Sequence, residues 1–282
     1  MTVDGSAADS VRDVYERLTD LMARAMGGYL HGGYFGGPRP ATTMAEAADR
    51  LTDLVVERCE LRPGQRLLDV GCGNGKATLR AAAAHRVRAS GITLSDYQVR
   101  LSRELAAQRG MADSVDFWVA DMRDMPFPEA LFDAALAIES VCHVPDRTAA
   151  YREIGRVLRP GGRVVVTDFV LRRPIEDPAR KAVVQASNDN FENAPVLTRE
   201  EYQQAVADAG LRVAEFTDIG DEVWPSFAAV ADNMRRARDV VADRMSDAEF
   251  RDMVDSLERF GTVTEIGYAV VVARKPAQPR ET

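Results

Sequence analysis

Histidine and cysteine, the side chains that most often serve as bases, nucleophiles and zinc ligands near neutral pH, are few in this sequence. It contains three histidines, His31, His85 and His143, and three cysteines. No cysteines are spaced C-x-x-C and no histidines lie one helical turn apart, so the usual zinc-ligand spacings are absent and we expect no metal site. A low, odd cysteine count also excludes a disulfide scaffold. His143, which directly follows Cys142, is the main candidate for a general base.

A glycine-rich turn is the sharpest feature for ligand binding. Residues Leu67–Gly75 read Leu-Leu-Asp-Val-Gly-Cys-Gly-Asn-Gly, an apolar strand running into a turn and then an Ala-rich helix. Glycines allow a tight turn and a close approach of ligand to backbone. The following helix N-terminus offers N–H groups to an anionic group. The spacing is G-x-G-x-G, which differs from the dinucleotide fingerprint and from a phosphate-binding loop.

The elements that must position these residues alternate between strand and helix. Strands are predicted over 66–70, 87–92, 115–119, 132–138 and 163–170, with helices between most of them. This alternation predicts an α/β fold with a doubly wound parallel sheet and right-handed crossovers. Ligands in such sheets bind beyond the carboxyl ends of the strands, where strand order reverses, here between the first and fourth strands. His143 follows the fourth strand and Asp168 ends the fifth, so we expect both at this edge.

Helical segments are predicted before and after the alternating region. Residues 1–60 should form N-terminal helices and a glycine-rich segment, 27–37, which is either a surface loop or a lid over a ligand. Residues 61–275 should form the main domain, with a last strand at 268–273. Helical periodicity over about 222–262 predicts an insertion that caps the sheet before that strand.

Four motifs together resemble the class I S-adenosylmethionine (SAM)-dependent methyltransferases. They are the glycine turn, Gly91–Ser95 with Gln98, Ala120–Phe127 and Arg156–Gly162. The likeness covers roughly residues 25–275 and is strongest to bacterial secondary-metabolite methyltransferases of the rebeccamycin sugar O-methyltransferase type. Sterol C-methyltransferases share Ile138-Glu139 and Cys142-His143. The resemblance implies SAM as cofactor and a Rossmann-like, seven-stranded sheet with an N-terminal helical lid and a helical insertion before the last strand.

The resemblance also implies roles for individual residues. Many members hold the ribose with an acidic residue after the second strand, where this chain has Thr93 and Leu94, so Gln98 is the candidate for that task. Asp121 would accept a hydrogen bond from the adenine amino group, with Met122 packed on the ring. The implied cofactor-binding residues are Asp69, Gly71, Gly73, Gly75, Thr93, Leu94, Gln98, Asp121, Met122 and Glu139. The implied catalytic pair is His143 with Asp168. The candidates for contacting the substrate are His31, Tyr34, Cys142, Phe191 and Trp224.

The methyl acceptor stays open at this level. Sugar O-methyltransferases carry a His-His pair where this chain has Cys142-His143. Either His143 is the base for a hydroxyl acceptor, or the acceptor is an amine that needs only to be neutral; a base would contribute about a hundred- to ten-thousand-fold. The alternatives are C-methylation of an isoprenoid or aromatic carbon and a non-methylating use of the fold.

Charge and hydropathy restrict the partners. The formal net charge is −8, with no basic stripe of the kind nucleic-acid binders carry. The N-terminus lacks a basic stretch followed by an apolar run, and no apolar window is long enough to span a bilayer. We therefore expect a cytoplasmic protein with a small-molecule substrate and no nucleic-acid or membrane partner. A homodimer is left open.

Overall fold

The computed structural model describes residues 5–277, so residues 1–4 of the predicted N-terminal region lie outside it. Helix α1 (Gly5–Ala25) is followed by the glycine-rich segment and by α2 (Met44–Arg58). The Thr43 side chain caps α2 by accepting a hydrogen bond from the Glu46 N–H. This cap ends the irregular segment and starts a helix whose apolar side packs on the sheet.

A single sheet forms the centre of the molecule. Its strands are β1 (Arg66–Val70), β2 (Arg88–Thr93), β3 (Val115–Val119), β4 (Phe132–Ile138), β5 (Leu158–Leu171), β6 (Leu197–Thr198), β7 (Arg212–Asp218) and β8 (Ile266–Arg274). The strand order is β3-β2-β1-β4-β5-β8-β7, and the short β6 pairs with the end of β5. Strands β1 to β5 are parallel, whereas β8 is antiparallel to both β5 and β7. The order reverses between β1 and β4, where the sequence placed the switch point.

Helices cover both faces of the sheet. They are α3 (Lys76–His85), α4 (Asp96–Gln108), α5 (Arg147–Val157), α6 (Pro178–Phe191), α7 (Arg199–Asp208), α8 (Gly220–Val223), α9 (Pro225–Arg236) and α10 (Asp247–Phe260). Helices α8 to α10 lie between β7 and β8, as a helical insertion before the last strand. The α/β, doubly wound, Rossmann-like fold with N-terminal helices is confirmed. The sheet has eight strands rather than the expected seven, because the two-residue β6 adds to the end of β5.

Strands β1, β2, β4, β5 and β8 divide their side chains between two cores. Leu67 belongs to the core beneath α1 to α4, α9 and α10, whereas Leu68 belongs to the core beneath α5 and α7. In β5, Val165 faces the first core and Val166 the second. Because successive strand residues point to opposite faces, this register decides which side of the sheet each β5 side chain reaches.

Candidate active site

A large cavity opens where β1, β2 and β4 end. Its empty space is about 1050 Å³ with the solvent-open mouth included, so a small molecule can enter it, and it lies at the switch point. Its floor is the glycine turn, and α1 closes it from above through Ala8, Val11, Arg12 and Tyr15. Of the predicted cofactor-binding residues, those that line this cavity are Asp69, Gly71, Gly73, Thr93, Leu94, Gln98, Asp121, Met122 and Glu139.

The glycine turn approaches its neighbours too closely for side chains. Gly71, Gly73 and Gly75 all have φ in the left-handed region, at 78°, 52° and 77°. A Cβ on Gly71 would lie 2.3 Å from the Cβ of Ser140. Gly75 does not line the cavity: a Cβ there would meet Phe117 and Ser102 at 2.8 Å. Gly75 thus permits packing of α3 on the sheet, whereas Gly71 and Gly73 expose backbone to the cavity.

Polar side chains around the cavity are held by their neighbours. Asp121 accepts hydrogen bonds from Nε and Nη2 of the Arg123 guanidinium, with Nε shared between both carboxylate oxygens, and one more from the Arg123 backbone N–H. Burial opposes ionisation of Asp121, but these bonds prevail and hold its pKa below the usual value. Gln98 is 3 % exposed; its Oε1 accepts from the Thr93 hydroxyl at 2.5 Å and its Nε2 donates to Thr19. Both residues are fixed before any ligand arrives.

Asp69 is the innermost carboxyl of this cavity. It is buried near the carboxyl end of β1, one residue before Val70, and accepts a hydrogen bond from the Thr78 hydroxyl of α3 at 2.5 Å. Burial raises its pKa to about 7, against the opposing effect of that hydrogen bond. A ligand with ammonium, hydroxyl and amino donors, together with a sulfonium charge, matches the three carboxyls Asp69, Asp121 and Glu139 that line the cavity. The donor set and the size therefore fit SAM.

A second cavity of about 680 Å³ lies beside the first, between α1, α6 and the inserted helices. Aromatic rings from β5, α6, α9, α10 and β8 line it: Phe169, Phe191, Phe227, Phe260 and Tyr268. Among the described residues that line it, none is Lys or Arg. The Asn193 side chain also lines it, and its Oδ1 is buried without a hydrogen-bond partner. This second cavity suits an apolar, uncharged molecule with a polar group near Asn193.

Four residues border both cavities: Tyr15, Leu30, Glu139 and His143. A group that passes from a ligand in the first cavity to one in the second must cross between them. We refer to these four residues as the junction.

His143 stands at the junction as a neutral base with a fixed tautomer. Its Nδ1 lies 3.2 Å from the carbonyl oxygen of Glu192, which can only accept, so Nδ1 carries the proton. Its Nε2 is then the acceptor for the Tyr15 hydroxyl at 2.9 Å. Burial lowers the pKa of His143 to about 4, so the imidazole is neutral at pH 7. The Nε2 lone pair is therefore available for proton transfer at the place where both cavities meet.

Glu139 is held in a strained position directly after β4. Its φ is 49°, in the left-handed region, which a residue with a side chain adopts at a cost of about 1–3 kcal/mol. Its Oε1 accepts hydrogen bonds from the Gly32 N–H at 2.8 Å and the Tyr268 hydroxyl at 2.7 Å. Burial raises the pKa of Glu139 to about 7, and these hydrogen bonds only partly oppose it. The backbone bend directs this carboxyl to the junction.

The structure does not pair His143 with Asp168. Asp168 shares the β5 face of Val166 and lines neither cavity; its Oδ2 lies 3.7 Å from Nε of the buried Arg147. The predicted pairing was wrong because the alternation of side chains along β5 turns Asp168 towards α5 and α7. The neighbouring Thr167, on the other face, bonds Tyr268 instead.

The predicted substrate contacts divide between several places. Cys142 and Phe191 line the second cavity, whereas His31 lines the first, buried, with its pKa lowered to about 4 by burial. Trp224 lines neither cavity; it packs against Phe169, Phe227 and Phe260 behind the second one. Tyr34 also lines neither, and its ring packs near Gly36 in the glycine-rich segment. The structure gives these two residues a packing role.

Three site residues were not identified from the sequence. Tyr15 has the helical spacing of a core residue, and its contact with His143 spans 128 positions of chain. Tyr268 reads as an ordinary residue of the last strand, and Asn193 lies in the irregular turn after α6. The backbone fixes that turn, because the Ala194 N–H donates to the Cys142 carbonyl. Within residues 5–277, no helix is long and apolar enough to cross a membrane, and no cluster of metal-ligating side chains was found.

The fold and the two joined cavities define an enzyme that transfers a group from a nucleoside cofactor to a small molecule. Comparisons with known proteins agree. The family described as "Methyltransferase domain" matches residues 68–166. The O-methyltransferase resE of Aspergillus sclerotiorum is 34% identical over 275 residues, 98% of this chain and 100% of that protein. The 27-O-demethylrifamycin SV methyltransferase of Amycolatopsis mediterranei is 34% identical, over 93% of this chain and 95% of its own length. The chain belongs to the SAM-dependent methyltransferase family.

A solved relative has a different activity in its name. The crystal structure of the [4+2]-cyclase SpnF superposes with a TM-score of 0.83, at 32% identity, over 96% of this chain and 97% of that one. A protein this similar in sequence and structure is thus named for a cyclisation and not for methyl transfer. The cavities of this chain, more than its fold, must therefore indicate which reaction it performs.

Proposed function

We propose that this enzyme transfers the methyl group of SAM to a hydroxyl group of an apolar secondary metabolite. The observation that carries the proposal is the neutral His143, whose Nε2 accepts a hydrogen bond from a hydroxyl at the junction of the cavities. An acceptor hydroxyl that replaces the Tyr15 hydroxyl there would meet a base already in the correct tautomer. The names of the two O-methyltransferase relatives support the same choice of oxygen.

The residues divide the work between binding and proton transfer. When bound, SAM supplies an activated methyl group on a sulfonium, whose breaking C–S bond leaves its electron pair on sulfur. Asp69, Asp121 and the glycine turn would hold the cofactor. The proton of the acceptor hydroxyl would become strongly acidic as that oxygen is methylated, and His143 Nε2 would accept it. A base with a pKa near 4 suffices for such a proton, and orientation by the cavity walls supplies much of the remaining acceleration.

The second cavity favours an uncharged acceptor. Its aromatic lining and its lack of Lys or Arg among the described residues disfavour phosphorylated substrates. The buried carboxamide of Asn193 needs a hydrogen-bond partner, which a second polar group of the acceptor would provide. An amine acceptor would also fit a neutral His143, but the relatives named for O-methylation favour a hydroxyl.

A labelling experiment tests the proposal. The enzyme is incubated with methyl-deuterated SAM and hydroxylated natural products that include 27-O-demethylrifamycin SV, and product mass and NMR locate the methyl group. Transfer to oxygen is expected. Transfer to carbon would replace the proposal with C-methylation. Conversion without label would favour the SpnF-like alternative, in which the fold catalyses another reaction.

Location and assembly remain proposals. We propose a cytoplasmic enzyme without nucleic-acid partners, and the acidic net charge supports the second point. Size-exclusion chromatography with light scattering would decide between a monomer and the homodimer that the sequence leaves open.

A further inference from the structure

Glu139 occupies the place where the charge of the cofactor changes during the reaction. The methyl group must cross the junction, and Glu139 borders both cavities there. SAM carries a sulfonium at the sulfur that holds this methyl group, whereas the product S-adenosylhomocysteine (SAH) has a neutral thioether. Resting on the proposed methyl transfer, we propose that Glu139 discriminates SAM from SAH by releasing its proton when the sulfonium binds and keeping it when the thioether binds.

The carboxyl of Glu139 has hydrogen-bond donors but no cationic partner among the described residues. Oε1 receives both of its donors, the Gly32 N–H and the Tyr268 hydroxyl. Oε2 has no hydrogen bond from the part of the chain that the structure describes. The titratable groups around it are Tyr15, His31, Cys142, His143, Asp168 and Tyr268, with Asp69 and Asp121 further along the first cavity. At neutral pH none of these is a cation, because burial lowers the pKa of both histidines to about 4. The arginines nearby have acidic partners of their own: Arg12 pairs with Asp9 and Asp13, Arg123 with Asp121, and Arg147 lies against Asp168.

A nearby positive charge would therefore be the first cationic partner this carboxyl meets. Without one, burial raises its pKa to about 7, so about half of the molecules carry the proton at pH 7. An opposite charge within reach lowers a carboxyl pKa by about 1–3 units. Binding of SAM at pH 7 should then release about half a proton more than binding of SAH.

The sign of the linkage follows from these two pKa values. Glu139 gains affinity for the sulfonium only as it ionises, so the preference for SAM over SAH should increase as pH rises from about 5 to 7. Above that range Glu139 is ionised in both states and the preference should be constant. A shift of about two units corresponds to an increase of about 100-fold in the SAM-to-SAH affinity ratio. The charge lost in turnover would thus weaken retention of the product.

Titration calorimetry tests this without an acceptor, so its outcome is independent of which atom is methylated. SAM and SAH are each titrated at pH 7 in PIPES and in imidazole, whose ionisation enthalpies differ, and the heats give protons released per ligand. Both ligands share the amino and carboxyl groups, so their difference isolates the sulfonium. The wild type should release about half a proton more with SAM, and the difference should vanish by about pH 8.5. Equal release for both ligands at pH 7 would overturn the proposal.

Variants assign the proton. Glu139→Gln should abolish the difference between SAM and SAH, while Asp121→Asn, at a carboxyl already paired with Arg123, should keep it despite weaker binding. Tyr268→Phe removes a donor to Oε1 and should move the pH range of proton release upwards. If Glu139→Gln does not fold, Tyr268→Phe decides: an unchanged pH range in that variant refutes the assignment, as does a persistent difference in a folded Glu139→Gln.

Discussion

Replacement of Gly71 by Ala should damage both the stability of the protein and its cofactor site. Gly71 has φ 78°, and a Cβ there would lie 2.3 Å from the Cβ of Ser140. The Ser140 hydroxyl donates to the Val70 carbonyl at 2.5 Å, so its side chain cannot withdraw without losing that bond. Both Gly71 and Ser140 line the cofactor cavity, and any shift of either changes its wall.

The magnitude can be worked from a matched glycine. Gly110 also has a left-handed backbone, φ 65°, but no atom lies within 4 Å of the position that a Cβ would take there. Gly110→Ala should therefore carry only the conformational cost of about 1–2 kcal/mol. Gly71→Ala adds overpacking of about 1–3 kcal/mol and the weakened Ser140 hydrogen bond of about 0.5–1.5 kcal/mol. We expect Gly71→Ala to lose about 3–6 kcal/mol in total.

Urea unfolding of the ligand-free proteins gives these free energies, and calorimetry gives the SAM affinity. Gly71→Ala should unfold at clearly lower urea than Gly110→Ala and should bind SAM more weakly than either Gly110→Ala or the wild type. Equal losses of stability in the two variants, with wild-type SAM affinity in both, would show that the contact between residues 71 and 140 does not shape the cavity.

Three further predictions concern individual side chains. His143→Asn keeps an N–H for the Glu192 carbonyl but removes Nε2. Turnover of an acceptor found by labelling should fall about 100- to 10,000-fold, while the SAM affinity measured by calorimetry stays unchanged. Wild-type turnover in this variant would exclude His143 as the base. Asp121→Asn should weaken SAM binding by about tenfold through loss of a charge-assisted hydrogen bond, and unchanged affinity would contradict its role. Because the pKa of Glu139 is raised from 4.5 to about 7 in the fold, its contribution to stability is present below pH 4.5 and is lost as pH rises through 7. Between pH 4.5 and 7 the unfolding free energy of Glu139→Gln should therefore fall by about 3 kcal/mol less than that of the wild type. Urea unfolding at a series of pH values measures this, and the same fall in both proteins would refute the prediction.

The fold could be predicted because its signals are local. Strand–turn–helix alternation and the glycine turn depend on neighbouring residues, and the switch point between β1 and β4 follows from the general geometry of such sheets. The cofactor residues follow the same local logic, because most of them lie at or just after the end of a strand. Gly75 differs, since a glycine that binds ligand and one that permits packing look alike in a sequence.

The acceptor site could not be predicted in the same way, because its geometry depends on non-local contacts and on strand parity. Asp168 lies at the expected strand end but on the opposite face of the sheet. A shift of one residue along the strand would move its side chain from one face to the other, and the sequence does not fix that position. Tyr15 reaches His143 from a helix that is distant in sequence. Trp224 is a residue type that often lines pockets, but here it packs against Phe169 and Phe227, and these two rings line the second cavity in its place.

The two cavities are lined largely by different segments of the chain. The matched methyltransferase segment, 68–166, supplies most of the cofactor floor but only Glu139, Cys142 and His143 of the second cavity. The rest of that cavity comes from α1, the glycine-rich segment and the chain from the second half of β5 onwards. Helix α1 and the glycine-rich segment also line the first cavity, whereas nothing from β5 onwards does. Substitution from the second half of β5 onwards can therefore diversify acceptor choice with the least effect on the cofactor cavity. Lineages that modify many scaffolds with one chemistry need this kind of modularity, and directed evolution of this enzyme should concentrate its libraries there.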